Sequence, residues 1–183
     1  MSFMQLASGR PFHFSGIVDA ISIEDVADQL SKINRFAGAT RVPYSVAQHS
    51  DHVSKIVKAR GGPKIAQLAG LLHDVHEMVT GDIITPVKLQ LKGVAAFEDA
   101  MQTRICHGLN VASVMALLNL SIVRQADMVA LATERRDLLV ESQKPWEIEL
   151  PEPDPRVIKP VGWKSARSAF IKRFHMLTKE STR

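Results

Sequence analysis

Apolar residues in this chain recur mostly every three or four positions, the spacing of helices that bury one face. Ile23, Val26, Ala27, Leu30 and Ile33 follow Ser22-Ile23-Glu24-Asp25, an N-cap with acids in the first turn, and predict a helix over 23–35. Phe36-Ala37-Gly38-Ala39-Thr40 breaks it. Ser45-x-x-Gln48 is a capping-box pattern that opens a helix over 46–60. Gly61-Gly62-Pro63 stops that helix and starts another over 64–79, with Pro63 near its first position. Gly81, Pro86 and Gly93 punctuate a loop with one short helix at 86–91. Val94, Phe97, Met101, Ile105 and Leu109 predict a helix over 94–109, and 111–118 reads as a short helical turn. A long helix follows over 121–141, and a last one over 163–179 carries Ala166, Phe170 and Phe174 four residues apart. Between them Pro145, Pro151, Pro153, Pro155 and Pro160 keep 145–160 as extended loop. Residues 1–20, where Phe12 and Phe14 alternate around His13, form a short strand or an ordered arm. The expected fold is all-α, with six to seven helices.

The 183 residues suit one domain, 1–183, with one core. Aromatics make up only 5% of the chain against 45% hydrophobic residues, so that core is mostly aliphatic. Apolar runs are short and broken by charge, which excludes a membrane span, and no charged-then-apolar leader opens the chain. The single cysteine, Cys106, excludes an internal disulfide framework and fits a reducing, cytoplasmic setting. A net charge of +4 with scattered Lys and Arg fits attraction to an anionic substrate such as a nucleotide. No helix is studded with Arg and Lys alone, so duplex nucleic acid is not an expected partner. The apolar stretch 111–120 exceeds what a connector needs, and burial between subunits is its expected use.

Chemistry concentrates at His73-Asp74, which ends the apolar run Ile65-Ala66-Gln67-Leu68-Ala69-Gly70-Leu71-Leu72. An imidazole and a carboxylate at the end of a buried helix are costly to desolvate, and a bound metal ion compensates both. Adjacent helical positions differ by about 100° of rotation, so the pair can face one ion but cannot complete its shell. His49 and Asp127 are candidates from other helices, although either alone reads as an ordinary helix histidine or surface acid. Glu77 shares the face of His73 and Asp74 and is placed to hold or deprotonate a water. Asp82 could position that water or protonate a leaving oxygen, or simply turn a Gly-Asp corner. Arg35 offers a planar fork for phosphate, with Lys88 and, more weakly, Arg41 as further phosphate contacts. Phe36 could stack on a base or pack in the core, and Gly38 and Ala39 are small enough to admit a purine. His52 and His76 read as neighbours of the site outside the ligand set.

The order His49, His73-Asp74, Asp127 resembles the HD-domain phosphohydrolase superfamily. His73-Asp74-Val75-His76-Glu77-Met78-Val79-Thr80-Gly81-Asp82-Ile83-Ile84-Thr85-Pro86-Val87-Lys88 is similar to the HD-x-x-E-x-x-x-G-D-x-x-x-P-x-K segment of its 5′-deoxynucleotidase branch. Asn34-Arg35-Phe36 resembles that branch's Asn-Arg-Trp motif, with Phe36 in place of Trp. Tyr44-Ser45-Val46-Ala47-Gln48-His49-Ser50 resembles its first-histidine helix, and Gln125-Ala126-Asp127 its last ligand. The resemblance covers roughly residues 9–140. Ser8-Gly9-Arg10 and Arg35-Phe36-x-Gly38 bring the chain nearest to phage dATP triphosphohydrolases, which deplete dATP where phage DNA replaces adenine. The resemblance implies His49, His73, Asp74 and Asp127 as ligands of one divalent transition metal per subunit (Zn, Co or Mn). It implies Glu77 and Asp82 as catalytic groups, dATP as substrate, deoxyadenosine and triphosphate as products, and a homo-oligomer. A 5′-deoxynucleotidase acting on dNMP is the alternative within the branch. A non-catalytic, nucleotide-binding regulatory domain is the alternative outside it, against which the retained Glu77 and Asp82 weigh.

Overall fold

The computed structural model describes residues 2–179; residue 1 and residues 180–183, the ends of the expected 1–183 domain, lie outside the described residues. Eight α-helices account for about half of the described residues: α1 (Ile23–Leu30), α2 (Val46–Ala59), α3 (Lys64–Leu72), α4 (Glu77–Thr80), α5 (Thr85–Lys88), α6 (Val94–Gly108), α7 (Ser121–Leu138) and α8 (Trp163–Thr178). Two 3₁₀ turns, Arg35–Gly38 and Ala112–Leu117, and one small hairpin complete it, so the fold is all-α as expected. The hairpin pairs β1 (Phe3–Gln5) antiparallel with β2 (Pro11–His13), Met4 opposite Phe12. It resolves the expected arm: Phe12 is fully buried, while Ser8 and Arg10 bind the carboxylate of Asp25 on α1. No helix among the described residues is long and apolar enough to cross a membrane.

Helix α2 is central and packs on α3, α7 and α8. The α2–α3 approach is close at Gly70, where a Cβ would meet Val57 Cγ2 at 3.2 Å and the Ser54 Cα at 3.4 Å. That absence of a side chain lets α3 lie close against the C-terminal half of α2. Arg173 of α8 locks the pair from outside, donating Nε to Ser54 Oγ at 3.0 Å and Nη2 to the Ser54 carbonyl at 3.0 Å. The Pro-rich stretch is an extended loop that returns across α2 and α7. Gln48 Nε2 donates to the Lys159 carbonyl, and the Asp154 amide donates to Thr133 Oγ1.

Three expectations need correction. The first helix ends at Leu30 rather than at 35, because the backbone beyond it pairs sideways: the Val46 amide donates to the Ile33 carbonyl and the Arg35 amide to Tyr44. The expected 64–79 helix is two helices, broken at 73–76. Gln102 of α6 causes the break by entering the hydrogen-bond ladder. Its Nε2 donates to the Leu72 carbonyl at 2.7 Å, and its Oε1 accepts from the His76 amide at 3.1 Å, so one side chain replaces the Leu72–His76 rung. The long helix stops at Leu138, where the Arg41 amide donates to the Leu138 carbonyl at 2.9 Å. In the 111–120 stretch Val114 is fully buried, and Val111, Met115, Leu117 and Leu118 are partly buried against this chain's core.

Candidate metal centre

Four acceptor atoms from three regions of the chain converge where α2, the α3–α4 break and α7 meet. His49 Nε2 lies 3.3 Å from His73 Nε2, 3.2 Å from Asp127 Oδ1 and 3.5 Å from Asp74 Oδ2. His73 Nε2 lies 3.1 Å from Asp74 Oδ2 and 3.6 Å from Asp127 Oδ1. With bonds of about 2.1 Å, neighbouring ligands of one ion stand about 3.0 Å apart on an octahedron and about 3.4 Å apart on a tetrahedron. The observed separations fall around those values.

The hydrogen bonds behind the imidazoles fix which ring nitrogens face inward. His49 Nδ1 donates to Glu134 Oε1 at 2.6 Å, and His73 Nδ1 donates to the Gly70 carbonyl at 2.9 Å. A carbonyl can only accept, so both Nε2 atoms present lone pairs to each other and to two carboxylates. Such a set needs a cation in its midst, either protons on the imidazoles or a metal ion. Without an ion the protons serve. Burial alone would lower the pKa of His73, but Asp74 and Asp127 outweigh it and raise it well above the ordinary value. Burial opposes the charge on Asp74 and Asp127 as well, yet the facing histidines hold both below the usual carboxylate range. Two nitrogens and two carboxylate oxygens fit Zn, Co or Mn better than Ca.

Glu134 was not foreseen from the sequence. It is fully buried on α7 and accepts from His49 on one oxygen and from Arg35 Nε on the other, at 3.1 Å. Its distance from Asp127 is seven residues, two helical turns, so both point the same way; that spacing was the available signal. Arg35 is committed to this network, with Nη1 3.6 Å from Asp74 Oδ2. Burial would lower its pKa, but Glu134 and Asp74 raise it, so it stays charged. The structure thus places Arg35 beside the cluster, held between carboxylates.

Glu77 is buried at the start of α4, and one of its oxygens has no hydrogen-bond partner. Burial first, and then the charge of Asp74, pushes its carboxyl up to about 9. Asp82 accepts from the Ala37 amide at 3.3 Å and so ties the α4–α5 loop to the Arg35–Gly38 turn. That turn is strained: Phe36 and Ala37 both have left-handed backbones (φ 58° and 49°), followed by Gly38 at 82°. Phe36 is half-buried under Trp146, ring centres 6.5 Å apart, while Gly38 and Ala39 are exposed. Lys88 sits at the end of α5 and pairs with buried Glu98 at 3.0 Å. His76 is buried, with Nδ1 3.0 Å from Gln102 Oε1, and His52 is 3.7 Å from Asp154.

The chain matches the HD domain family over residues 27–121. It is 33% identical over 181 residues to an uncharacterised Escherichia coli K12 protein, YfdR, with 97% of each chain covered. The chain belongs to the HD-domain family. A second uncharacterised protein, from Rhodobacter capsulatus, is 32% identical over 168 residues, covering 86% of this chain and 85% of that one. HD domains are typically metal-dependent phosphohydrolases, and His49, His73 and Asp74 form a group that could hold a divalent ion. The family match contains those three residues and ends before Asp127, which joins the cluster through its distances to both histidines.

Proposed function

We propose that this HD domain hydrolyses deoxynucleotides, with dATP as substrate and deoxyadenosine and triphosphate as products. The observation that carries the proposal is the set of four converging acceptors backed by Glu134, with the buried carboxyl of Glu77 three residues after Asp74. His49, His73, Asp74 and Asp127 would hold the metal. When bound, a divalent ion there supplies Lewis acidity towards a phosphate oxygen and acidifies water.

This chain's own residues divide the remaining work. Glu134 keeps the His49 proton on Nδ1 and so its Nε2 free. Arg35 carries positive charge beside Asp74, where it can offset charge developing on the phosphates. Glu77 exchanges a proton with the attacking water or the leaving 5′ oxygen. Asp82 supports the Phe36–Gly38 turn, beside which the base would lie. In the balanced reaction, water adds to the α-phosphorus, the bond to the 5′ oxygen breaks, and that oxygen takes a proton. Support for dATP is the likeness of the 73–88 string and of Ser8-Gly9-Arg10 to the phage triphosphohydrolases.

The test is a panel of dNTPs, rNTPs and dNMPs with Zn, Co or Mn, with product identification. Tripolyphosphate and deoxyadenosine from dATP are the expected products. Orthophosphate from dNMP alone would make the chain a 5′-deoxynucleotidase. Nucleotide binding without turnover under every metal would make it a regulatory domain.

A further inference from the structure

Beside α7 lies a cavity of about 430 Å³, bounded by the loop that follows the helix; Trp146 on its wall packs on Phe36 of the Arg35–Gly38 turn. Asp127 and Glu134 point from α7 into the cluster, while Ala132, Arg135 and Arg136, at other angles around the helix, line the cavity. Its size is within the range of small-molecule sites, roughly 300–1,000 Å³. Its walls join two chemistries. Leu139, Leu150 and Pro151 give an apolar surface, while Arg41, Arg135 and Arg136 give positive charge against the carboxylate of Glu141.

The three arginines are not equivalent. Arg136 is spent on structure, bound to Asp137 and to the Asp154 carbonyl. The side chains of Arg41 and Arg135 make no hydrogen bond or ion pair among the described residues. Arg135 instead stacks on Trp146, its guanidinium carbon 4.8 Å from the ring centre. A guanidinium stacked this way is orientated by the indole and keeps its in-plane N–H donors free, the arrangement that receives a phosphate or carboxylate. Arg41 is anchored close by through its own amide, which holds the Leu138 carbonyl at the end of α7. One orientated cation and a second close by, beside an apolar wall, suit an anion with an apolar or planar body.

We propose that this cavity is a second binding site, separate from the metal centre, for a phosphorylated small molecule with a planar body, of the nucleoside phosphate class. It stands whether or not the chain hydrolyses dATP. The phosphate lies between Arg41 and Arg135, and the ring body against Leu150 and Pro151.

Trp146 and Trp163 are the two tryptophans of the chain, so Trp163→Phe leaves Trp146 as the sole indole reporter. Metal-free Trp163→Phe protein is titrated with dATP, dAMP, deoxyadenosine and inorganic phosphate, following fluorescence. The expected result is saturable quenching by the nucleotides, at least 10-fold tighter than by deoxyadenosine or phosphate. Arg41→Ala with Arg135→Ala should weaken it at least 10-fold, with an unchanged melting temperature. His73→Ala should leave it unchanged, because Arg41 and Arg135, and not the metal-centre residues, hold the nucleotide. No response of Trp146, equal binding by the double arginine variant, equal binding of phosphate alone, or loss in His73→Ala would each overturn the proposal. None of these readouts depends on turnover, so failure of the hydrolysis proposal would appear separately.

Discussion

At the scale of single residues, the metal-centre side chains depend on partners that hold them. Glu134 is the most consequential, since it fixes the His49 ring and balances Arg35 with one carboxylate. Glu134→Gln keeps the shape and removes the charge. We expect metal affinity to fall about 10–100-fold with the fold retained, as measured by competition with a chelator. An unchanged affinity would show that His49 needs no such support. Glu77 supplies a pH signature. Its folded pKa, about 9, lies above the ordinary 4.5, so its contribution to stability is complete below about pH 4.5 and is lost as the pH rises towards 9. Metal-free wild type should therefore lose stability relative to Glu77→Gln across that window, by at most about 1.4 kcal/mol per pH unit. Denaturant titrations of both proteins from pH 5 to 9 check this. Parallel curves would mean that Glu77 titrates normally.

At the scale of elements, the break between α3 and α4 is what presents His73 and Asp74 to the cluster, and Gln102 maintains it from another helix. Gln102→Leu would leave the His76 amide buried without a partner and the Leu72 carbonyl with only its 3.3 Å bond from the Val75 amide. The expected cost is about 1–3 kcal/mol of stability in urea unfolding, with weakened metal binding in the folded fraction. A loss below about 0.5 kcal/mol would mean that the ladder closes by itself. This element also shows where the sequence stops being legible. Leu68, Leu71, Leu72 and Val75 continue a helical period through the break, and the group that interrupts it comes from 30 positions downstream of Leu72. The end of α1 is hidden for the same reason: Ile33 has the right phase for helix, but its carbonyl is taken by Val46. Caps were readable because they are local. Ser22 and Ser45 each accept an amide from the residue three ahead, as their spacing suggested. Glu134 escaped notice because, between Thr133 and Arg135, an isolated glutamate looks like a solvated one.

At the scale of the whole molecule, α2, α3 and α7 bring together residues as distant as His49 and Asp127, while α8 and the Pro-rich loop brace them from outside and the hairpin is tied to α1 through Asp25. That arrangement, in a chain of the HD-domain family, makes a metal-dependent phosphohydrolase the central claim. The direct test is to measure metal content and dATP hydrolysis together, on the same preparations of wild type and His73→Ala. The account predicts about one divalent ion per wild-type chain with release of tripolyphosphate, and loss of both in the variant while its helical content persists. Full metal content with full turnover in His73→Ala would contradict it.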